Sequence, residues 1–157
     1  MQLIGMSQSL SVVHLHAVFS TKERRPFFTD AALRRELHAY LGGISAALDC
    51  PPVLVGGVED HVHILARLGR LASQADWIKE LKRVSAIWVN AREPARMAGF
   101  AWQAGYGVFS VSASNVAAVR EYIATQEAHH RTVSFREEFE TLLRKHGAEY
   151  DPRHLWE

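Results

Sequence analysis

The run Glu59-Asp60-His61-Val62-His63-Ile64-Leu65 constrains the fold more than any other part of the chain. Polar and apolar residues alternate along it, which is the period of a half-buried strand. Successive side chains of a strand point to opposite faces, so Val62 and Ile64 share one face and His61 and His63 the other. The two imidazoles then stand side by side, with their Cα atoms about 7 Å apart. This spacing suits two ligands of one metal ion, provided that another element supplies a third.

An isolated pair of this kind is more often structural, with one imidazole satisfied by a carboxylate and the other solvated. His14 and His16, which share one face of the first predicted strand, could likewise belong to the site or be structural. We interpret these two as plain strand residues.

Composition limits the class of protein. The 157 residues are 48% hydrophobic and 22% charged, which fits one globular domain. A formal net charge of +1 does not by itself indicate a nucleic-acid binder, so any basic surface must be local. The single Cys50 cannot form an internal disulfide, and no apolar run approaches the ~18 residues of a membrane span. We therefore expect a cytoplasmic protein with no membrane partner.

Hydrophobic periodicity predicts six elements in the order β-α-β-β-α-β, followed by two more helices. The predicted elements cover residues 9–19, 30–49, 53–58, 61–65, 74–90, 101–111, 114–130 and 134–147. The first six are typical of an α+β, ferredoxin-like fold, an antiparallel sheet with two helices on one face. The other face is left for a ligand, and His61 and His63 lie there if Val62 and Ile64 face the helices. We predict a single domain over residues 1–157, with a core at about 9–130 and a C-terminal helical extension at 131–157 that shapes a dimer or covers the site.

The helix predicted from Ser114 to about His130 carries a second candidate set. Tyr122 and Gln126 are four residues apart, so they lie on one face of a helix, roughly 6 Å apart. The commoner use of such a tyrosine is as a partly buried surface residue. A tyrosine hydroxyl beside a metal ligand is also what covalent phosphoryl transfer requires.

Two groups of basic residues are candidate phosphate contacts, although most such groups are only solvated surfaces. They are Lys22 and Arg24 in a turn after the first strand, and Lys79, Lys82 and Arg83 on one side of the second helix.

Three segments in this order resemble a known family. They are Asp60-His61-Val62-His63-Ile64-Leu65, the stretch from Trp102 to Val111, and Tyr122-Ile123-Ala124-Thr125-Gln126-Glu127-Ala128-His129-His130. Together with the segment from His16 to Arg24, they resemble the single-tyrosine HUH transposases of small bacterial insertion sequences, which include the REP-associated tyrosine transposases. The resemblance extends from His16 to about His130, and it implies a ferredoxin-like (RRM-like) core.

The resemblance also implies a site and a reaction. His61, His63 and Gln126 would bind a divalent metal ion, Mg²⁺ or Mn²⁺, and Tyr122 would be the nucleophile. The implied activity is that of a metal-dependent transposase that nicks and rejoins single-stranded hairpin DNA through a 5′-phosphotyrosine intermediate. Such proteins work as homodimers, often with the tyrosine helix of one subunit serving the histidine pair of the other.

Two alternatives remain open at the level of sequence. A non-catalytic RRM-like module that binds single-stranded nucleic acid would place stacking aromatic residues on its central strands, where this chain has His61 and His63. A replication-type HUH nickase uses the same chemistry but usually carries a helicase or other domains, for which this chain has no room.

Overall fold

The computed structural model describes residues 8–156. Residues 1–7 and Glu157, the two ends of the predicted domain, lie outside the described residues. The strands are β1 (His14–Ser20), β2 (Pro52–Gly57), β3 (His61–Arg67) and β4 (Gly107–Val111), and they form one antiparallel sheet in the order β2-β3-β1-β4. The helices are α1 (Ala31–Ala47), α2 (Gln74–Arg92), α3 (Val116–Ala124), α4 (Gln126–His129) and α5 (Phe135–Lys145). The predicted α+β, ferredoxin-like architecture is confirmed.

Local signals in the sequence set the ends of the first two helices. The Asp30 carboxylate accepts hydrogen bonds from the Ala32 and Leu33 amides and caps α1. The Ser73 hydroxyl accepts one from the Asp76 amide and caps α2. Both helices place an apolar stripe on the same face of the sheet, and this packing forms the main core.

The main core contains the alternate residues of the two central strands. Val62 and Ile64 of β3 are fully buried in it. The other buried strand residues of this core are Leu15, Ala17, Phe19 and Ala66, and the helices contribute Leu33, Leu37, Leu41, Ile78 and Leu81. The period of the strands therefore sends the residues between them to the opposite face.

The opposite face of the sheet is covered by α3 and α5. Ile123 of α3 packs on β2 at Gly56, where a Cβ atom would lie 2.8 Å from the Ile123 carbonyl oxygen. Phe135 of α5 stacks on His61, with ring centroids 4.2 Å apart. A smaller apolar cluster lies beside these contacts and contains Val18, Phe109, Phe135 and Leu143.

The structure corrects three predicted boundaries. The first strand begins at His14 rather than at residue 9, and the regular part of the last strand begins at Gly107 rather than at 101. Trp102, which we predicted within that strand, forms an isolated bridge to Thr21 instead. The predicted helix at 114–130 is two helices, α3 and α4, which meet at Thr125. Within residues 8–156, no helix is both long and apolar enough to cross a membrane.

Candidate active site

His61 and His63 lie on the face of β3 that turns away from the main core. Both are 0% exposed, so the site forms beneath other elements and not on an open surface. The predicted division of the strand, with Val62 and Ile64 toward α1 and α2, is confirmed.

Each imidazole of the pair has a partner at its Nδ1 atom. His61 Nδ1 lies 2.8 Å from the Asp60 carboxylate. A carboxylate only accepts, so His61 donates from Nδ1 and presents the lone pair of Nε2 to the site. His63 Nδ1 lies 2.8 Å from Nε2 of His16 on the neighbouring strand β1. Our interpretation of His16 as a plain strand residue is therefore wrong, because it supports the site from the second layer.

The break at Thr125 turns Gln126 toward the histidines. The Thr125 hydroxyl donates to the Glu121 and Tyr122 carbonyl oxygens, which competes with the regular helical pattern. Gln126 then begins the short helix α4 and is 1% exposed, with its Oε1 atom 3.4 Å from His61 Nε2. The ring centroid of Tyr122 lies 5.7 Å from that of His63. The four residues that the resemblance implies thus meet within one chain.

Glu138 of α5, which was not among the predicted site residues, lies at the centre of these groups. It is 2% exposed. Its Oε1 atom lies 3.0 Å from His63 Nε2 and 3.3 Å from His61 Nε2. Its Oε2 atom accepts hydrogen bonds from the Tyr122 hydroxyl and, at 3.1 Å, from Gln126 Nε2.

His130 completes the cluster at the end of α4. Its Nδ1 atom lies 2.7 Å from the Val133 carbonyl oxygen, and its Nε2 atom lies 3.2 Å from Glu138 Oε1. One donor atom from each of His61, His63, His130 and Glu138 lies within 4.8 Å of the others. Ligand atoms around a tetrahedral zinc ion are about 3.4 Å apart, so the widest pair of the cluster must move closer for all four atoms to bind one divalent metal ion.

Burial and mutual contact shift the pKa values of these groups in different directions. Burial lowers the pKa of His63 to about 4 and that of His16 to about 3. Burial also acts against the charged form of His61, but its contacts with Asp60 and Glu138 outweigh this and raise its pKa. Burial opposes the charge of Glu138, but hydrogen bonds with His130, His61 and His63 hold its pKa well below the usual range.

The pKa of the Tyr122 phenol shifts upward. Burial, followed by the Glu138 carboxylate, raises the pKa of Tyr122 above its ordinary value. A cavity of about 660 Å³ opens beside this hydroxyl, with lining from β4, α3 and α5. It has room for a nucleotide next to the Tyr122–Glu138 contact.

Some of the predicted DNA-binding residues have partners within the protein, and others are exposed. Lys82 Nζ donates to the carbonyl oxygens of residues 103, 104 and 105, so it supports the loop before β4, and burial lowers its pKa to about 8. Arg83 forms an ion pair with Glu80 at 2.7 Å. Lys22, Arg24 and Lys79 are exposed, and the Arg24 guanidinium lies over the Trp156 ring at 5.5 Å.

The arrangement weighs against the RRM-like binding module. Such a module needs an open sheet face on which bases stack, whereas this face is covered by α3 and α5. Trp102 is buried against Phe19 and Phe28 of the main core, so its ring is not available to stack on bases.

Glu138 did leave a signal in the sequence. In α5 the apolar positions Phe135, Phe139, Leu142 and Leu143 form one stripe, and Glu138 falls within it. A carboxylate within the buried stripe of a helix is rare unless it has partners. The capping box Ser134–Glu137 marked the start of this helix but not the face on which Glu138 lies.

Comparisons with known proteins agree with this fold. The family model described as "Transposase IS200 like" matches residues 9–126. A putative transposase from Deinococcus radiodurans R1 is 24% identical, with a TM-score of 0.62 over 80% of this chain and 98% of that one. A REP-associated tyrosine transposase bound to a REP hairpin is 10% identical, with a TM-score of 0.59 over 84% of this chain and 76% of that one. No curated protein matches the sequence.

Proposed function

Since the chain belongs to the IS200-like transposase family, we propose that it nicks and rejoins single-stranded hairpin DNA through a covalent link to Tyr122. His61, His63 and Gln126 would hold the required divalent metal ion, Mg²⁺ or Mn²⁺. The resemblance to single-tyrosine HUH transposases first pointed to these four residues.

One observation carries this proposal. The Tyr122 hydroxyl donates to Glu138 Oε2, while Oε1 of the same carboxylate lies 3.0 Å from His63 Nε2. A single carboxylate therefore separates the nucleophile from the histidine pair. A metal ion at that pair would polarise the scissile phosphate and stabilise the charge that develops during transfer.

The chemistry of the chain's own residues follows from this geometry. The Tyr122 oxygen attacks phosphorus, the P–O3′ bond breaks, and the products are a 5′-phosphotyrosine and a free 3′-OH. The phenol loses its proton as the O–P bond forms: Glu138 Oε2, already in contact with the hydroxyl, accepts this proton, and the proton passes on to the leaving 3′ oxygen. Attack of a 3′-OH on the phosphotyrosine rejoins the strand without ATP, because the covalent link keeps the phosphodiester energy.

We also propose that the protein acts as a homodimer. Because one chain brings Tyr122 within reach of His61 and His63, each subunit can carry a complete site. The exposed Lys22, Arg24 and Lys79 are the residues we propose for contact with the DNA backbone. Lys82 and Arg83 are further candidates, although Lys82 also holds the loop before β4 and Arg83 pairs with Glu80.

A labelled hairpin oligonucleotide with single-stranded flanks tests the proposal. Incubation with Mn²⁺ or Mg²⁺ should give an adduct that survives denaturation, and Tyr122→Phe should abolish it. Tyr40→Phe removes a hydroxyl from α1 on the far side of the sheet and should leave the adduct unchanged. His61→Ala should lose the adduct but keep DNA binding. An adduct formed by Tyr122→Phe would exclude this residue as the nucleophile, and loss of DNA binding in His61→Ala would favour the non-catalytic module.

A further inference from the structure

The position of Glu138 goes beyond the set of four residues implied by the family. The family model ends at residue 126, whereas Glu138 and His130 come later in the chain. Glu138 is nevertheless buried, and it contacts both halves of the site. A buried carboxylate is expensive unless it is paired or binds a metal. Its location therefore needs a specific explanation.

With neutral imidazoles, the histidine contacts leave the centre of the cluster without positive charge. His61 and His130 each have Nδ1 against an oxygen acceptor, the Asp60 carboxylate and the Val133 carbonyl. In the neutral imidazoles the hydrogen is therefore on Nδ1, and the Nε2 lone pairs face Glu138 Oε1. Lone pairs and a carboxylate oxygen repel one another unless a cation lies between them.

The Gln126 side chain adds a further hydrogen-bond acceptor to this group of lone pairs. Its Oε1 atom lies 3.0 Å from His130 Nε2 and 3.4 Å from His61 Nε2, so another acceptor points to the same place. Its amide nitrogen donates away from the cluster centre, to Glu138 Oε2. Protons could supply the missing charge, and the raised pKa of His61 is in line with that. A divalent cation satisfies all of these acceptors together.

The two oxygens of Glu138 have different neighbours. Oε1 faces the Nε2 atoms of His61, His63 and His130, and Oε2 faces the Tyr122 hydroxyl, the Gln126 amide and, at 3.1 Å, His129 Nε2. One oxygen can therefore bind a metal ion while the other holds the nucleophile. The Glu138 side chain can therefore serve both roles at the same time.

We propose that Glu138 links the metal to the nucleophile: Oε1 joins His61, His63 and His130 as a metal ligand, and Oε2 positions the Tyr122 hydroxyl beside that metal. The helix α5, within the predicted C-terminal extension, is then part of the catalytic centre. This assignment rests on the proposed function for the role of Tyr122, but metal binding by the cluster can be measured without DNA.

The donor set indicates which metals the site prefers. Three imidazoles and one carboxylate beside the Gln126 amide oxygen suit Mn²⁺, Co²⁺ or Zn²⁺ better than Mg²⁺, which favours an all-oxygen set of ligands. An anionic ligand also raises affinity relative to a set of two imidazoles and a neutral amide. We therefore expect tighter binding of Zn²⁺ than of Mg²⁺.

The test uses full-length protein labelled with 3-fluorotyrosine, Zn²⁺ alone as the probe, and ¹⁹F NMR. Tyr122→Phe assigns the Tyr122 signal, and Tyr40, far from the cluster on α1, is an internal control. In the wild type, Zn²⁺ should shift the Tyr122 signal and leave that of Tyr40 in place. Glu138→Gln should weaken Zn²⁺ binding at least tenfold, since even the loss of an outer-shell partner costs 10–100-fold. It should also remove the shift of Tyr122 at saturation.

Two further variants make the outcome decisive. Glu140→Gln changes a carboxylate on the same helix that pairs only loosely with Arg136, at 3.8 Å, and should behave as the wild type. His130→Asn removes a ligand but keeps the Glu138–Tyr122 contact, so it should lose affinity and retain the shift at saturation. It also provides the test if Glu138→Gln does not fold.

Three results would overturn the proposal. They are wild-type Zn²⁺ affinity in Glu138→Gln or in His130→Asn, the absence of Zn²⁺ binding by the wild type, and Zn²⁺ binding that leaves the Tyr122 signal unmoved. A protein that binds Zn²⁺ through Glu138 but forms no DNA adduct would contradict the proposed function and leave this assignment intact.

Discussion

Strands β1 and β3 bury both of their faces, one under α1 and α2 and the other under α3 and α5. Val62 and Ile64 on the first face and His61 and His63 on the second are all 0% exposed. The first face gains stability from apolar contact, whereas the second holds imidazoles that would be better solvated in water. Burial alone therefore does not mark a core, because the same strand can bury a site as completely as it buries its packing residues.

The comparison predicts that the apolar face carries most of the stability. Ile64→Ala removes a fully buried side chain between the sheet and the helices, and should lower the free energy of unfolding by about 2–5 kcal/mol. Ile64→Val should cost only about 0.5–1.5 kcal/mol. Urea denaturation measures both. Below its melting transition, Ile64→Ala should keep the Zn²⁺ response of the wild type, and loss of that response would show that the two faces are not independent.

The fold was predictable because it depends on local periodicity. The alternation in residues 61–65 and the helix caps at Asp30 and Ser73 are visible in the sequence, and they were enough to place two helices on one face. The link between β2 and β3 is too short for a crossover, so it permits only the antiparallel pairing that the sheet has.

The site was predictable only in part, because its remaining members depend on tertiary packing. His16 meets His63 through the register of β1 on β3, which pairs Val18 with His63. No local pattern fixes that register. Glu138 reaches the site because α5 folds back over the sheet, a long-range event that the capping box at Ser134 does not encode.

A second prediction concerns how closely α3 approaches the sheet. In Gly56→Ala the new Cβ atom would lie 2.8 Å from both the Ile123 carbonyl oxygen and the Ile123 side chain. The helix must move, so we expect a loss of about 1–3 kcal/mol in unfolding free energy. The same shift displaces Tyr122, and adduct formation should fall by on the order of 10²-fold for a displacement of about 1 Å.

Gly43→Ala is the matched control on the other side of the sheet. Gly43 lies within α1, and a Cβ atom there would meet nothing within 4 Å. This change should raise the unfolding free energy by roughly 0.5–1 kcal/mol and leave adduct formation unchanged. If Gly56→Ala kept full activity, close packing of α3 on β2 would not be what positions Tyr122.

The smallest expected effect concerns His38, a buried histidine that lacks the carboxylate partners of His61. His38 of α1 lies outside the cluster, and its Nε2 atom is buried without a hydrogen-bond partner among residues 8–156. Burial, followed by the nearby charge of Arg34, lowers the pKa of His38 to about 4. His61 is also buried, yet its pKa is raised because it has carboxylate partners. Two carboxylate partners thus outweigh burial at His61, whereas at His63, which contacts Glu138, burial still lowers the pKa.

The folded-state pKa of His38 lies below the unfolded value of about 6.5, so the unfolded chain binds this proton first as the pH falls. The contribution of neutral His38 to stability is therefore complete above about pH 6.5 and is lost as the pH falls toward about 4. His38→Leu should reduce the loss of unfolding free energy between pH 7 and pH 5 by about 1–2 kcal/mol. His154→Asn, at an exposed position, should keep the wild-type pH dependence. Urea denaturation at both pH values measures the difference, and an unchanged pH dependence in His38→Leu would mean that a buried imidazole without a partner does not limit acid stability here.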